Sequence, residues 1–142
     1  MGILDGLPLS SGITEKKEDN MVGRELLSEL ISSGYKFAEA DIVFIAKDRT
    51  DKLIWLERGN DNAGLQHIIL NHKEHFETAF GIKEEEIALY LYNVIVNGNL
   101  IRCTPAKIKG GLDRVYEYGG QYYTFVGMGS NGFIVTSFPT DR

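Results

Sequence analysis

The sequence predicts an α+β fold, with an N-terminal helix and a β-hairpin followed by two central helices packed on a C-terminal antiparallel β-meander. Apolar residues recur at helical spacing in residues 21–33 and 65–96. Short runs rich in β-branched and aromatic residues, separated by polar or glycine turns, fill 41–56 and 114–138. Helices in the middle of the chain and hairpin-connected strands at its end select α+β over an alternating parallel architecture. No internal repeat is visible, and 142 residues suit one domain large enough to bury a core.

Residues 1–20 combine Gly2, Gly6, Pro8, Ser10, Ser11 and Gly12 with the charged run 15–19, too little apolar content to order itself, and read as a flexible leader or linker before one domain at 21–142. From 21 to 33, Val22, Leu26, Leu27, Leu30 and Ile31 trace one greasy helical face, and Gly34 is placed to stop it. Residues 41–46 and 53–56 are strand-like around the polar connection 47–52, which makes a hairpin. Asn60, Asp61 and Asn62 offer N-cap oxygens to a helix whose Leu65, Ile68, Ile69, Phe76, Ala79 and Phe80 share a broad arc, with Gly81 at its end. A further helix runs from Lys83 or Glu84 to Val96, with acids in its first turn and Gly98 behind it. Three strands follow at 114–118, 121–126 and 132–138, joined by Gly119-Gly120 and a glycine-rich turn at 127–132.

Composition excludes several classes. No apolar run approaches the ~20 residues that cross a bilayer, so a soluble protein with no membrane partner is expected. The N-terminus has no secretory pattern. Cys103 is the only cysteine and has no internal disulfide partner; a small buried or half-buried thiol is expected rather than a catalytic one. The net charge of −5 opposes general nucleic-acid stickiness. Its distribution is uneven: Arg102, Lys107, Lys109, Arg114 and Arg142 against Asp113, Glu117 and Asp141 give residues 99–142 a net of +2, leaving −7 on the rest. A local phosphate-facing site in the C-terminal third is compatible with that asymmetry.

All three histidines, His67, His72 and His75, fall within nine consecutive positions, and imidazole is the side chain that exchanges protons near neutral pH. On a helix His67 and His72 are about 140° apart and His72 and His75 about 60°. This is not the i, i+4 spacing of a zinc pair, and no metal site or cofactor is predicted. His72 falls in the apolar arc, where a core histidine bonded to a carbonyl is as good a reading as a catalytic one. His67 points away from the arc, in the first turns, where free N–H groups attract anions; it is the favoured candidate, and His75 is read as surface.

Lys107 lies between Pro105 and Gly110-Gly111, on a constrained loop whose plainer reading is a solvated lysine. Strand alternation puts Tyr116 and Tyr118 on one face and Tyr122 and Tyr123 on opposite faces, so one or two tyrosines on an open face are placed to stack a base or donate to a phosphate. Thr136 and Ser137 likewise face opposite ways. Ser130-Asn131-Gly132 is first a turn, and Ser130 and Asn131 are also candidate substrate contacts. Gly127-Met128-Gly129 lacks the Gly-Lys-Ser/Thr continuation and helix of a nucleotide-binding P-loop.

The order Trp55-Leu56-Glu57-Arg58-Gly59-Asn60, then Gly64-Leu65-Gln66-His67-Ile68 with His72 five residues on, a following helix, and the closing stretches 118–123 and 131–140 resembles the small nuclease domains of the barnase, EndoU, colicin and RelE superfamily. The likeness is to members found in prophages and as toxin domains of bacterial polymorphic toxins, and it spans about residues 21–140. It implies helices packed on a four-stranded antiparallel sheet and metal-independent RNA cleavage, often of tRNA. In such cleavage the ribose 2′-OH attacks its own phosphate to leave a 2′,3′-cyclic phosphate, which needs a base, an acid and stabilisation of the phosphorane. By this resemblance His67 is base or acid and His72 its complement, Lys107 stabilises phosphorane charge, and Thr136 and Tyr116 bind the phosphate or orient the ribose.

The resemblance further implies a toxin acting in the bacterial cytoplasm, secreted or delivered as part of a larger toxin and neutralised by an immunity protein; it leaves the oligomeric state open. The competing reading is a non-catalytic protein-binding module of phage or toxin origin on the same scaffold, with core histidines and a tyrosine-rich docking face. A metal-dependent hydrolase has the least support, because no carboxylates cluster beside the histidines.

Overall fold

The computed structural model describes residues 21–107 and 110–141; the leader expected at 1–20 lies outside them. Its element order is α1 (Arg24–Ser33), β1 (Ile42–Lys47), β2 (Leu53–Glu57), α2 (Leu65–Phe80), α3 (Ile87–Asn97), then β3 (Asn99–Pro105), β4 (Gly111–Tyr118), β5 (Tyr122–Gly129) and β6 (Ile134–Pro139), with one-turn 3₁₀ helices at Glu39–Asp41 and Glu84–Glu86. This is an α+β fold with a two-stranded antiparallel hairpin, β1-β2, and a four-stranded antiparallel meander in the order β3-β4-β5-β6.

Local chemistry accounts for most boundaries. Gly34 and Gly81 close α1 and α2 in the left-handed conformation, at φ 80° and 70°. The helix expected from Lys83 or Glu84 begins with a 3₁₀ turn in which the Lys83 N–H donates to Glu86 Oε1 at 2.8 Å, and α-helical bonding takes over at Ile87. The expected Asn/Asp cap of α2 is corrected. Its N-cap is Gly64, while Asn60 Oδ1 instead accepts from the Asn62 and Ala63 amides in the preceding turn.

The meander has one strand more than the three read from periodicity, as the family resemblance implied. β3 escaped because it is an exposed edge: only Leu100 is half-buried, so there is no apolar alternation to read, and Cys103, expected buried or half-buried, is exposed on it. It pairs with β4 from Asn99↔Glu117 to Pro105↔Leu112.

One core joins the parts. Phe44 and Leu56 of the hairpin, Ile68 and Phe76 of α2, Ile87, Leu91, Val94 and Ile95 of α3, and Val126, Met128 and Ile134 of the sheet form one buried cluster. Each such side chain contributes roughly 1.5–3 kcal/mol by leaving water. A smaller cluster packs Leu30 of α1 on Ile45 and Trp55. Hairpin and meander also meet directly, because the Trp55 amide donates to Gly132 O at 3.0 Å. Gly132 has φ 103°, and a Cβ there would stand 2.1 Å from Leu53 O, so only glycine permits the approach.

Alternation sorts the sheet. Arg114, Tyr116, Thr124, Val126 and Ser137 are buried on the helix-covered face. Asp113, Gly127 and Thr136 form one cross-strand row on the other face, with Val115, Phe125 and Phe138 in the next row. Helix α2 runs beside β6, the edge strand of that face.

Candidate active site

Three features bring His67 to β6. The Gly64 amide donates to Val135 O at 3.0 Å, which fixes the start of α2 one residue from Thr136. Gly64 has φ 91°, and a Cβ there would lie 2.8 Å from Glu57 O, so glycine is needed for the helix to start this close to the hairpin. His67 is the third residue of α2, and its Nε2 lies 3.1 Å from Thr136 Oγ1.

The ring's other nitrogen meets two groups. His67 Nδ1 is 2.9 Å from the Asp61 carbonyl oxygen, which only accepts. A hydrogen on Nδ1 suits the Asp61 carbonyl and leaves Nε2 to accept from the Thr136 hydroxyl, whereas the Asn71 side-chain nitrogen, 3.0 Å from Nδ1, suits the other tautomer. The Asn71 side-chain amide donates to the His67 carbonyl at 3.0 Å and braces the first turn. A base held by an orienting acceptor, with its free nitrogen facing a half-buried hydroxyl, is a recognised arrangement for proton abstraction.

His72 reaches the same strand. The His67 and His72 ring centroids are 6.0 Å apart, and His72 packs on Phe138 at 4.9 Å. The expected 140° separation holds at the helix axis, but the rings lean onto Thr136 and Phe138, which are two apart on β6 and hence about 6.8 Å from each other on one face. Burial, and then the neighbouring His67 and His75, hold the His72 pKa below its ordinary 6.5. His72 is thus half-buried, neutral at pH 7 and beside the candidate base. His75 is exposed, as expected, and lines a depression with Tyr123 and Phe138.

A cavity of about 480 Å³ opens beside Thr136, lined by Asp113, Gly127, Gly129, Ser130 and Asn131, with Tyr35 on its wall. Ser130 and Asn131 therefore share a cavity with Thr136, although Asn131 Oδ1 is engaged by the Phe133 amide at 3.0 Å and Ser130 O by Lys52 Nζ at 2.9 Å. Lys107 is exposed on the β3–β4 connection; its neighbour Ala106 lines the cavity rim and Lys107 does not.

Tyr116 requires a correction. It is fully buried on the opposite face, where its hydroxyl donates to Asp48 Oδ2 at 2.8 Å and accepts from Arg114 Nη1 at 3.2 Å. A residue that fills the core and satisfies a buried carboxylate is unavailable to a substrate on the open face. The helix N-terminus is also less available to an anion than expected, since the Gln66 amide already donates to Arg58 O and the Gly64 amide to Val135 O.

The Trp55–Asn60 motif serves the scaffold. Trp55 is fully buried, and its indole donates to Glu57 Oε2 at 3.0 Å. Sequence reasoning missed Asp61, which acts through a backbone carbonyl that no side-chain pattern reveals. It also missed Asp113, although the alternation that paired Tyr116 with Tyr118 puts Asp113 on the other face. Among the described residues no group of three or more His, Cys, Asp or Glu side chains is placed to hold a metal ion, and no helix is long and apolar enough to cross a membrane. No protein-family model matches this chain, and no curated protein does.

Proposed function

We propose that the protein is a metal-independent endoribonuclease of toxin type, cleaving RNA, with tRNA the expected substrate. The observation that carries this reading is the contact of His67 Nε2 with Thr136, a residue that also lines a cavity, with the Asp61 carbonyl against His67 Nδ1. In the proposed step His67 Nε2 takes the proton of the ribose 2′-OH, the 2′-oxygen bonds to phosphorus, and the P–O5′ bond breaks as the leaving oxygen takes a proton from His72. Thr136 turns its hydroxyl to a phosphate oxygen once the substrate displaces it from His67. Lys107, next in sequence to the cavity-lining Ala106, stabilises phosphorane charge. Because the His72 pKa is depressed, its protonated form is scarce at pH 7, and the rate falls as pH rises above 6.5.

The remaining parts of the reading come from the family resemblance alone: action in the bacterial cytoplasm, delivery within a larger toxin and neutralisation by an immunity protein. A second reading, a non-catalytic protein-binding module, is favoured by one observation. Phe125 and Phe138 stack at 4.5 Å on the uncovered face of the sheet, half-buried with Tyr123 nearby, as a docking face would be.

Incubating the purified protein with total tRNA in EDTA separates the two. The ribonuclease yields fragments ending in 2′,3′-cyclic phosphate, and His67→Ala lowers the rate by about 10²–10⁴-fold. Intact tRNA, or cleavage unchanged in His67→Ala, ends the ribonuclease reading.

A further inference from the structure

His67 Nδ1 faces two groups that require opposite things of it. The Asp61 carbonyl oxygen, 2.9 Å away, only accepts, whereas Asn71 Nδ2, 3.0 Å away, only donates. Asn71 cannot remove the conflict by turning its amide over. Its Nδ2 also donates to the His67 carbonyl at 3.0 Å, and the reversed amide would set Oδ1 against that oxygen. Each neutral tautomer of the ring therefore pairs with one of the two groups and leaves the other unpaired.

The far nitrogen imposes no choice. Thr136 Oγ1, 3.1 Å from Nε2, belongs to a hydroxyl that donates or accepts according to its rotation. With the hydrogen on Nδ1, the ring donates to Asp61 and Nε2 accepts from Thr136. With the hydrogen on Nε2, the ring donates to Thr136 and Nδ1 accepts from Asn71. Both states make the same neutral bonds in number and kind, so their populations lie within about tenfold of each other. Passing between them moves one proton from one ring nitrogen to the other through solvent and leaves the ring uncharged.

We infer that Asn71 is a positioning residue that gives His67 its second neutral tautomer, in which Nε2 carries the hydrogen and meets an oxyanion as an uncharged donor. One nitrogen thereby serves two tasks. With its lone pair it takes a proton from a hydroxyl, and with its hydrogen it binds a phosphate oxygen without drawing a proton from solution. Asn71 does this from the Nδ1 side of the ring, one helical turn along α2, and takes no part in proton transfer to substrate. An anion that selects one tautomer binds with an apparent affinity scaled by the population of that tautomer. The inference rests on the ribonuclease reading for what the lone pair does, but the tautomer is measurable without turnover.

The test is nitrogen-15 NMR of the ring at about pH 8.5, some two units above the ordinary histidine pKa of about 6.5, with the His67 signals assigned by their loss in His67→Ala. In the parent both ring nitrogens are expected between the protonated and unprotonated limits. Asn71→Ala, a helix-favouring change at an exposed position, moves the ratio about fivefold or more toward the Nδ1–H form, and its thermal melt is recorded beside the parent's. Thr136→Val leaves the ratio within about threefold, because water at Nε2 also donates or accepts. Inorganic phosphate shifts the parent toward the Nε2–H form, and Asn71→Ala needs about fivefold more of it for the same shift. A single tautomer in the parent, a ratio unmoved by Asn71→Ala, a ratio collapsed by Thr136→Val, or a doubly protonated ring on adding phosphate overturns the inference.

Cleavage reports separately. Asn71→Ala raises kcat by up to about twofold, since the base form becomes commoner, and weakens inhibition by phosphate, a split that general loss of structure does not produce. Intact tRNA with an Asn71-dependent tautomer ratio removes the ribonuclease reading and keeps the role of Asn71. Cleaved tRNA with a ratio indifferent to Asn71→Ala removes that role and keeps the ribonuclease.

Discussion

Two polar clusters lie on opposite faces of the same sheet, and they differ in whether their groups are used up. On the covered face Asp48, Arg114 and Tyr116 satisfy one another: Arg114 Nη1 lies 2.5 Å from Asp48 Oδ2, and the Asp48 side chain has no exposure. Thr50 and Lys52 also donate to Asp48 Oδ1. Burial pushes the Asp48 carboxyl up, but the hydrogen bonds from Thr50, Tyr116 and Lys52 together outweigh it and hold the group below its usual 3.8. On the uncovered face His67 and Thr136 share a single bond of 3.1 Å, and Asp113 opens on a cavity. The first cluster locks the β1–β2 turn to β4. The second leaves an imidazole lone pair and a carboxylate for something else. Burial alone therefore does not identify function here, because the more buried and more connected cluster is the structural one.

The contrast is broken most severely at Arg114. Arg114→Met strands a buried Asp48 carboxylate and lowers unfolding free energy by about 3–5 kcal/mol, read from urea denaturation. Tyr116→Phe keeps the ring in the core and removes one hydroxyl from the same carboxylate, at a cost of about 1–3 kcal/mol. Should Tyr116→Phe instead leave stability intact and abolish RNA cleavage, the assignment of this cluster to the scaffold is wrong. On the open face, His67→Ala changes stability by no more than about 1 kcal/mol while removing the proposed RNA cleavage, since it vacates a half-exposed position with one tertiary side-chain bond.

The smallest effect concerns acid. His72 has a folded pKa below 6.5, so the unfolded chain binds its proton first. Its contribution is present above pH 6.5 and is lost as pH falls through the folded value. Asp48, also depressed, contributes above pH 3.8 and is lost as pH falls through its own folded value. His72→Gln should flatten denaturation midpoints measured just below pH 6.5 and leave the steeper loss at lower pH unchanged; an unaltered profile there means His72 titrates freely.

Much of the fold was legible because its signals are local. Gly34 and Gly81 marked helix ends, and the stripes of α1 and α2 marked their packed faces except at Ile31 and Ala79, which are exposed. Parity along β5 and β6 correctly separated Tyr122 from Tyr123 and Thr136 from Ser137: Ser137 is buried and donates to Phe125 O at 2.7 Å, while Thr136 faces His67. The edge strand β3 was not legible, since an exposed strand paired on one side needs no apolar alternation. Parity also could not say which face of β4 is covered. It placed Tyr116 and Tyr118 together, and only the packing of α2 and α3 shows that theirs is the inner face.

The sequence by itself determined the α+β order, the helix and strand periods, the glycine stops and His67 as the favoured histidine. These follow from backbone geometry repeating every 3.6 or 2 residues along the chain. Tertiary structure alone decided that His67 meets Thr136 across 69 positions, that Asp48 meets Tyr116 across 68, and that Asp113 shares a cavity with Thr136. Such meetings depend on how helices and strands dock through a common core, and periodicity within a segment carries no information about the register between segments.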